Sequence, residues 1–235
     1  MLPLHLCRVA KPIRLAAWDD GARVLVLEDL RTEFSKSANT RCILRWLAAF
    51  HAVFYERADL RKLPVWKQGC YWHLETRPDE LAAMDVSDPF FARLKKAAPQ
   101  LDGILSEGPG LTLLHGDAKH PNFLADPCGA VAAVDFQYCG IGQPMKDVAY
   151  LLDDTQEDAK VSELLKEYGE AFYRAREEFG LPQLEESLEA FVERQERMFD
   201  VAAADLLRFL AGWGFWGHTE RQRRRAEPLL ARLLE

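Results

Sequence analysis

The sequence predicts an α+β domain, with short strands in its first half and long helices in its second. Short apolar runs bounded by turn signals recur between Pro12 and Asp135, the pattern of brief strands. From Pro144 onward the period changes: Val161, Leu164, Leu165, Tyr168, Phe172, Ala175 and Phe179 recur at helical spacing. No internal repeat and no linker-like stretch divides the chain.

Residues Pro12 to Glu28 read as two strands, IRLAAW and RVLVLE, around the turn Asp19-Asp20-Gly21. Leu30 to Ala38 is polar and irregular. A helix follows from near Thr40, a good N-cap residue, with Ile43, Leu47, Phe50 and Phe54 as its buried stripe. Leu60 to Arg77, with Pro64, Trp66, Tyr71 and Trp72, reads as a packed loop, and the next helix spans about Asp88 to Ala98. LTLLHGD is an apolar run ending on polar residues, a buried strand that delivers His115, Gly116 and Asp117 to an edge. Asn122 to Ala125 and Ala130 to Asp135 are two further strands around the turn Asp126-Pro127-Cys128-Gly129. Gly180-Leu181-Pro182 stops the helix that carries the later stripe. Leu184 to about Arg225 is helical again, with a break near Gly212, Gly214 and Gly217.

The chain has 235 residues, 49% hydrophobic and 29% charged, near the globular average. That excludes a disordered, collagen-like or low-complexity protein. A net charge of −7 argues against a nucleic-acid reader held by phosphate contacts. It suits solubility and is compatible with a cationic small molecule. The run Arg221 to Arg225 is expected to be a solvated helix face. No apolar run reaches the roughly 18 residues of a membrane span, and the nearest, Val201 to Trp216, contains Asp205 and Arg208. The start, MLPLHLC, lacks a basic region and soon meets Arg8, Lys11 and Arg14, a poor signal peptide. The five cysteines, Cys7, Cys42, Cys70, Cys128 and Cys139, are widely spaced and form no CxxC pair. They make neither a disulfide framework nor a zinc site, and the expected compartment is the reducing cytoplasm.

Two of the expected strands end on carboxylates, Asp117 and Asp135, and Asn122 lies five residues after the first. Polar side chains at strand ends are poor packing choices and can face one cleft. A carboxylate with an Asn can hold Mg2+, a hard ion that takes oxygen ligands and keeps waters and phosphate oxygens. A second carboxylate can orient a hydroxyl and take its proton. That division of labour is phosphoryl transfer. Taken singly, each residue also fits a plainer role: Asp117 in a turn, Asn122 as an Asx-turn former, Asp135 as a cap. His115 suits orienting the loop, and His51 and His73 suit packed positions. Trp213 to Trp216 suit the core or the wall of an acceptor pocket. Lys119 and His120 look the same whether functional or merely exposed. A metallohydrolase is a third reading, but the histidines lack an i, i+4 ligand pair.

Together HGDAKHPN, VDFQ, LVLEDL, WLAAFHA, YWHLETRPDE and MKDVAYLL resemble the aminoglycoside phosphotransferase and choline kinase-like superfamily, most of all its ecdysteroid-kinase-like (CHK) branch. The resemblance covers roughly Cys7 to Leu152. It implies a protein-kinase-like fold with a mostly helical C-lobe and short β-hairpins. It also implies an ATP- and Mg2+-dependent phosphotransferase acting on a small-molecule hydroxyl. Position by position, Asp117 matches the catalytic aspartate that deprotonates the acceptor, and Asn122 and Asp135 match the metal-binding pair. Glu28, Asp29 and Leu30 match the hinge, whose backbone would contact adenine. Lys119 stands where many protein kinases keep a phosphate-stabilising lysine, a position at which this branch varies. Asp147 matches a buried aspartate that supports the catalytic loop.

The resemblance further implies a small N-lobe that supplies a glycine-rich loop and a phosphate-binding lysine. Before Leu25 the only glycine is Gly21, in the expected turn, and Lys11 has no apolar strand around it. The expectation is therefore an N-terminally truncated chain with its N-lobe largely missing. Residues 1–30 would be its last two strands and hinge, and 31–235 the C-lobe. The hairpin should pack against the helix at Arg41 to Glu56 and keep one unpaired edge. Two readings of activity stand: an ATP-dependent small-molecule kinase, and a catalytically impaired remnant acting as a binding or regulatory module.

Overall fold

The computed structural model describes residues 7–214 and 220–235. The expectations for the residues before Cys7 and for 215–219, Trp216 and Gly217 included, lie outside the described residues. The strands are β1 (Arg8–Val9), β2 (Pro12–Ala17), β3 (Arg23–Leu27), β4 (Lys36–Ser37), β5 (Thr112–Leu114), β6 (Phe123–Ala125), β7 (Val131–Ala133) and β8 (Gly140–Gly142). The helices are α1 (Thr40–Phe54), α2 (Pro78–Ala83), α3 (Pro89–Glu107), α4 (Met145–Leu151), α5 (Asp158–Glu178), α6 (Leu188–Trp213) and α7 (Glu220–Leu234).

Helix α1 is the hub. Ile43, Leu44, Leu47 and Phe50 are buried along it, and it lies against α5, whose stripe of Val161, Leu164, Leu165, Tyr168 and Phe172 is buried in turn. Its cap is Asn39 rather than Thr40, with the Asn39 side chain accepting from the Cys42 N–H at 3.0 Å. Asp88 caps α3 and Pro89 opens its first turn. This helix continues past the expected end at Ala98, through Pro99, because Leu94, Ala98, Leu101 and Leu105 make one buried stripe. That packing offsets the backbone bond that a proline forgoes. The short helix α2 has no counterpart in the sequence reading. It is pressed so closely on α6 that a Cβ on Gly212 would collide with the Glu80 carbonyl.

Strands β6 and β7 pair antiparallel around Asp126, whose Oδ1 accepts from the Cys128 and Ala130 N–H groups at 2.8 Å. β1 joins β7 in parallel and β4 joins β6 antiparallel, giving the order β1-β7-β6-β4. β5 pairs antiparallel with β8.

Two expectations need correction. The hairpin of β2 and β3 forms, with Leu15 opposite Leu25, but it does not bury its apolar face on α1. Leu15 is 70% and Leu25 57% exposed, and no third strand joins the pair among the described residues. The reason is that α5, α4, β5 and β7 already pack against α1. The arginine run is not a solvated face either. Arg221 is buried, Arg223 pairs with Asp88, Arg224 with Asp158, and Arg225 with Asp200 and Asp158. The run clamps α7 to α5, α6 and the start of α3.

Candidate active site

Strand β5 hands the chain to His115, Gly116 and Asp117, all buried. Gly116 takes φ +87°, and a Cβ there would strike the Tyr138 carbonyl, so the turn requires glycine. The His115 and Gly116 backbone N–H groups donate to Asp147 Oδ2 at 2.7 Å and Oδ1 at 2.9 Å. Asp147 stands fully buried in the first turn of α4, the supporting position the sequence led one to expect. Its Oδ2 also lies 3.1 Å from Nε2 of His51 on α1, and His51 Nδ1 lies 3.0 Å from the Tyr168 hydroxyl on α5. A buried chain of hydrogen bonds thus runs from α5 through α1 and α4 to the loop.

Burial holds the His115 imidazole below its ordinary pKa, so the ring is neutral near pH 7. Its Nδ1 accepts from the Asp117 N–H at 3.3 Å, and its Nε2 donates to the Val134 carbonyl at 2.9 Å. One ring therefore ties the segment before Asp117 to the segment before Asp135.

The two oxygens of the Asp117 carboxylate differ. Oδ2 accepts from Asn122 Nδ2 at 3.0 Å and lies 2.8 Å from Lys119 Nζ. Oδ1 is buried and has no hydrogen-bond partner among the described residues. A buried carboxylate oxygen left unsatisfied is costly, and a ligand hydroxyl would satisfy it. The hydrogen bond to Asp117 raises the Lys119 pKa, so that ammonium stays charged. Asn122 is pinned by a second bond, from Nδ2 to the Asp117 carbonyl at 2.8 Å.

Asp135 follows β7 in the left-handed region, at φ +64°, a conformation that side chains other than glycine, Asn and Asp rarely adopt. It is exposed, whereas Phe136 turns inward until its ring centre lies 4.6 Å from that of His115. The Val134 N–H donates to the Asn122 carbonyl at 3.0 Å, so the β6–β7 ladder sets Asn122 beside the residue preceding Asp135.

The expected site residues thus fall into two sets. Asp117, Lys119 and Asn122 touch one another, and Asp135 joins them through the ladder, its charge acting on Lys119. Glu28, Asp29 and Leu30 lie apart, at the end of β3. Glu28 accepts from the Lys11 N–H at 3.0 Å and pairs with Arg8. Asp29 caps the turn at Leu30–Thr32, and hydrogen bonds from the Arg31 guanidinium and N–H hold its pKa down to about 2. The Leu30 side chain is core, buried with Phe34 and Ala132, so Leu30 could meet a ligand only through its backbone. For a cation, Asn122 and Asp135 offer hard oxygen donors of the kind that suit Mg2+. Among the described residues no three His, Cys, Asp or Glu side chains gather as a metal cage.

Sequence spacing gave no sign of the aromatic wall beside the loop. Cys70, at φ +99°, turns the chain so that the Tyr71 N–H donates to the Gly116 carbonyl at 2.7 Å. The Tyr71 ring meets Tyr138 and Phe209 edge-on, at 5.0 and 5.7 Å. The aromatic density of YWHLETRP was the one available signal.

A family model described as the phosphotransferase enzyme family matches residues 9–187. No curated protein sequence matches the chain. Among solved structures, amicoumacin kinase hAmiN in complex with AMP-PNP, Ca2+ and Ami is similar at TM-score 0.56 and 16% identity, over 96% of this chain and 70% of that one. A choline kinase from Cryptosporidium parvum Iowa II is similar at TM-score 0.55 and 13% identity, over 96% and 72%. A microcompartment-associated aminopropanol kinase is similar at TM-score 0.53 and 18% identity, over 96% and 74%. At such identities the likeness is one of fold, and the fold is protein-kinase-like and α+β. Among the described residues no helix is long and apolar enough to cross a membrane.

Proposed function

The chain belongs to the phosphotransferase enzyme family, and from that premise we propose that it transfers the terminal phosphoryl group of ATP to a hydroxyl of a small molecule. The observation that carries this reading is the asymmetry of Asp117. Its Oδ2 is held by Asn122 and Lys119, while its Oδ1 is buried and has no partner among the described residues. An acceptor hydroxyl donating to Oδ1 would be oriented there and would lose its proton to it as the new O–P bond forms. Lys119, already charged beside the carboxylate, suits the incoming phosphate. Asn122 Oδ1 and the Asp135 carboxylate would hold Mg2+, which supplies charge neutralisation to the phosphates when bound. A structural neighbour that holds AMP-PNP and Ca2+ supports the nucleotide assignment. The backbone at Glu28, Asp29 and Leu30 would meet the adenine. Residues 1–30 would then supply the last two strands and hinge of a small lobe, and 31–235 form the larger one. The spellings HGDAKHPN and MKDVAYLL favour the ecdysteroid-kinase-like branch. Five free cysteines, among them Cys7 with its thiol pushed up to about 12 by burial, suit the cytoplasm.

The test is Asp117→Asn, assayed by ADP release with Mg-ATP and a panel of hydroxyl compounds. Turnover should fall by about 10²–10⁴, the usual contribution of a general base, while calorimetric Mg-ATP affinity stays within a few-fold. Unchanged turnover rejects Asp117 as the base. The exposed hairpin of β2 and β3 favours a second reading, a binding or regulatory module with impaired transfer. That reading predicts weak Mg-ATP binding and no ADP release above background from the unaltered chain.

A further inference from the structure

The wall beside Asp117 carries chemistry that phosphoryl transfer itself does not use. Tyr71 and Arg77 come from the segment before α2, Tyr138 from the segment before β8, and Tyr150 from α4. The wall abuts the reacting end of the loop, because the Tyr71 N–H binds the Gly116 carbonyl at 2.7 Å and the Asp117 charge helps to raise the Tyr150 pKa, after burial. The three phenol rings are half-buried, and their hydroxyls make no hydrogen bond among the described residues. Half-exposed, they remain donors without a partner among the described residues.

Arg77 decides the charge of this surface. Its guanidinium lies 4.1 Å from the Tyr71 ring centre and 5.8 Å from that of Trp213. Its Nε donates to the Tyr71 carbonyl at 3.1 Å, and its Nη1 stands 3.8 Å from Glu80. Its Nη2 makes no bond among the described residues. The π face on which a cationic ligand would stack is therefore filled by the protein's own cation. Of the nearby carboxylates, Glu80 faces Arg77 and Asp117 Oδ2 meets Lys119, while Asp117 Oδ1 and Asp135 are given to the acceptor hydroxyl and the cation in the reading above. What remains on offer is the Arg77 Nη2 N–H, with phenol O–H donors and ring edges. The net charge of −7 belongs to the whole chain; at this wall the free groups are donors.

We propose that the acceptor is an anionic aromatic alcohol, its ring packed on the edges of Tyr138 and Tyr150 and its carboxylate taken by Arg77. This rests on the reading that Asp117 receives the acceptor hydroxyl. In that step the acceptor O–H bond breaks, its proton passes to Asp117 Oδ1, an O–P bond forms, and the terminal P–O bond of ATP breaks to leave ADP. A guanidinium N–H suits a carboxylate through a charge-assisted bond, and a carboxylate so held cannot itself compete for the phosphoryl group.

The experiment uses two compounds of the same ring and hydroxyl with opposite charge, 4-(hydroxymethyl)benzoate and 4-(aminomethyl)benzyl alcohol. Binding to the full chain is measured by ligand-observed NMR, and transfer by phosphorus NMR with Mg-ATP. The benzoate should bind at least tenfold more tightly than the amine, and Arg77→Gln should erase that preference. Equal affinity, preference for the amine, or no binding of either at 10 mM overturns the inference. If Arg77→Gln does not fold, the comparison on the unaltered chain still decides it. Preferred binding of the benzoate with no phosphoryl transfer to either compound sustains the anionic site and counts against the kinase reading. Transfer to the amine in preference to the benzoate does the reverse.

Discussion

Asp147 offers the sharpest test of how the loop from His115 to Asp117 is held. Replacing it with alanine removes the acceptor for three buried donors: the His115 N–H, the Gly116 N–H and the His51 Nε2–H. Asp147, His115 and His51 have no exposure, so water cannot take over without opening the fold. Each orphaned donor costs about 1–3 kcal/mol. The three share one site and relax together, so the expected loss is about 3–6 kcal/mol rather than three independent penalties. That is a large part of the roughly 5–15 kcal/mol that stabilises a domain. Asp147→Asn keeps the shape and one acceptor oxygen but turns an NH2 toward a donor. It should cost about 1–3 kcal/mol and leave a foldable chain. Urea denaturation followed by circular dichroism gives both values. If Asp147→Asn lies within about 0.5 kcal/mol of the unaltered chain, the ordinary range of surface substitutions, the carboxylate does not hold the loop.

The same assay separates the hairpin from the core. Leu15→Ala, at an exposed position of β2, should stay within about 0.5 kcal/mol, whereas Leu47→Ala, fully buried in α1, should cost about 2–5 kcal/mol; a loss above about 1 kcal/mol for Leu15→Ala would mean that the hairpin face is covered in solution. Acid should destabilise the fold through His115 and His73, whose pKa values burial lowers. Both are neutral in the fold, so below about 6.5 the unfolded chain binds more protons and stability falls with pH, while above it the effect vanishes. Half-buried Asp153 and Asp200 shift upward and act oppositely, from the carboxylate range. Urea midpoints at pH 7.5 and 6.0 measure the histidine contribution, and equal midpoints would show that these rings are not held neutral.

Helices are legible where their signal is contained in their own residues. The stripe from Val161 to Phe172 and that of Ile43, Leu47 and Phe50 repeat every three or four residues, and both sets are buried where the repeat points. The hairpin of β2 and β3 failed in a different way. Apolar residues mark a surface that can be buried, but α1 can take only so many neighbours, and α5, α4, β5 and β7 took them. The arginine run failed because its partners Asp88, Asp158 and Asp200 lie 25 or more residues away along the chain. A charge run looks solvated until the opposing acids are placed.

The site divides along the same line. Asp117, Lys119 and Asn122 fit within a six-residue loop, so their spacing alone predicts that they meet, and they do. Asp147 could be assigned only through family resemblance, since 31 residues separate it from Gly116. The His51–Tyr168 contact spans 117 residues, and no local pattern encodes it. That contact nevertheless bears on the loop. The Tyr168 hydroxyl holds His51 Nδ1 at 3.0 Å while His51 Nε2 faces Asp147 at 3.1 Å. Losing the tyrosine hydroxyl would leave the ring held on one side and free to turn. Asp147 would then lose a donor, and the N–H groups of His115 and Gly116 would share a carboxylate no longer fixed from behind. The position of Asp117 depends on those two bonds. Local spacing therefore brings the proposed base and its neighbours together, while the long-range bonds determine whether its carboxylate stands where a hydroxyl could reach it.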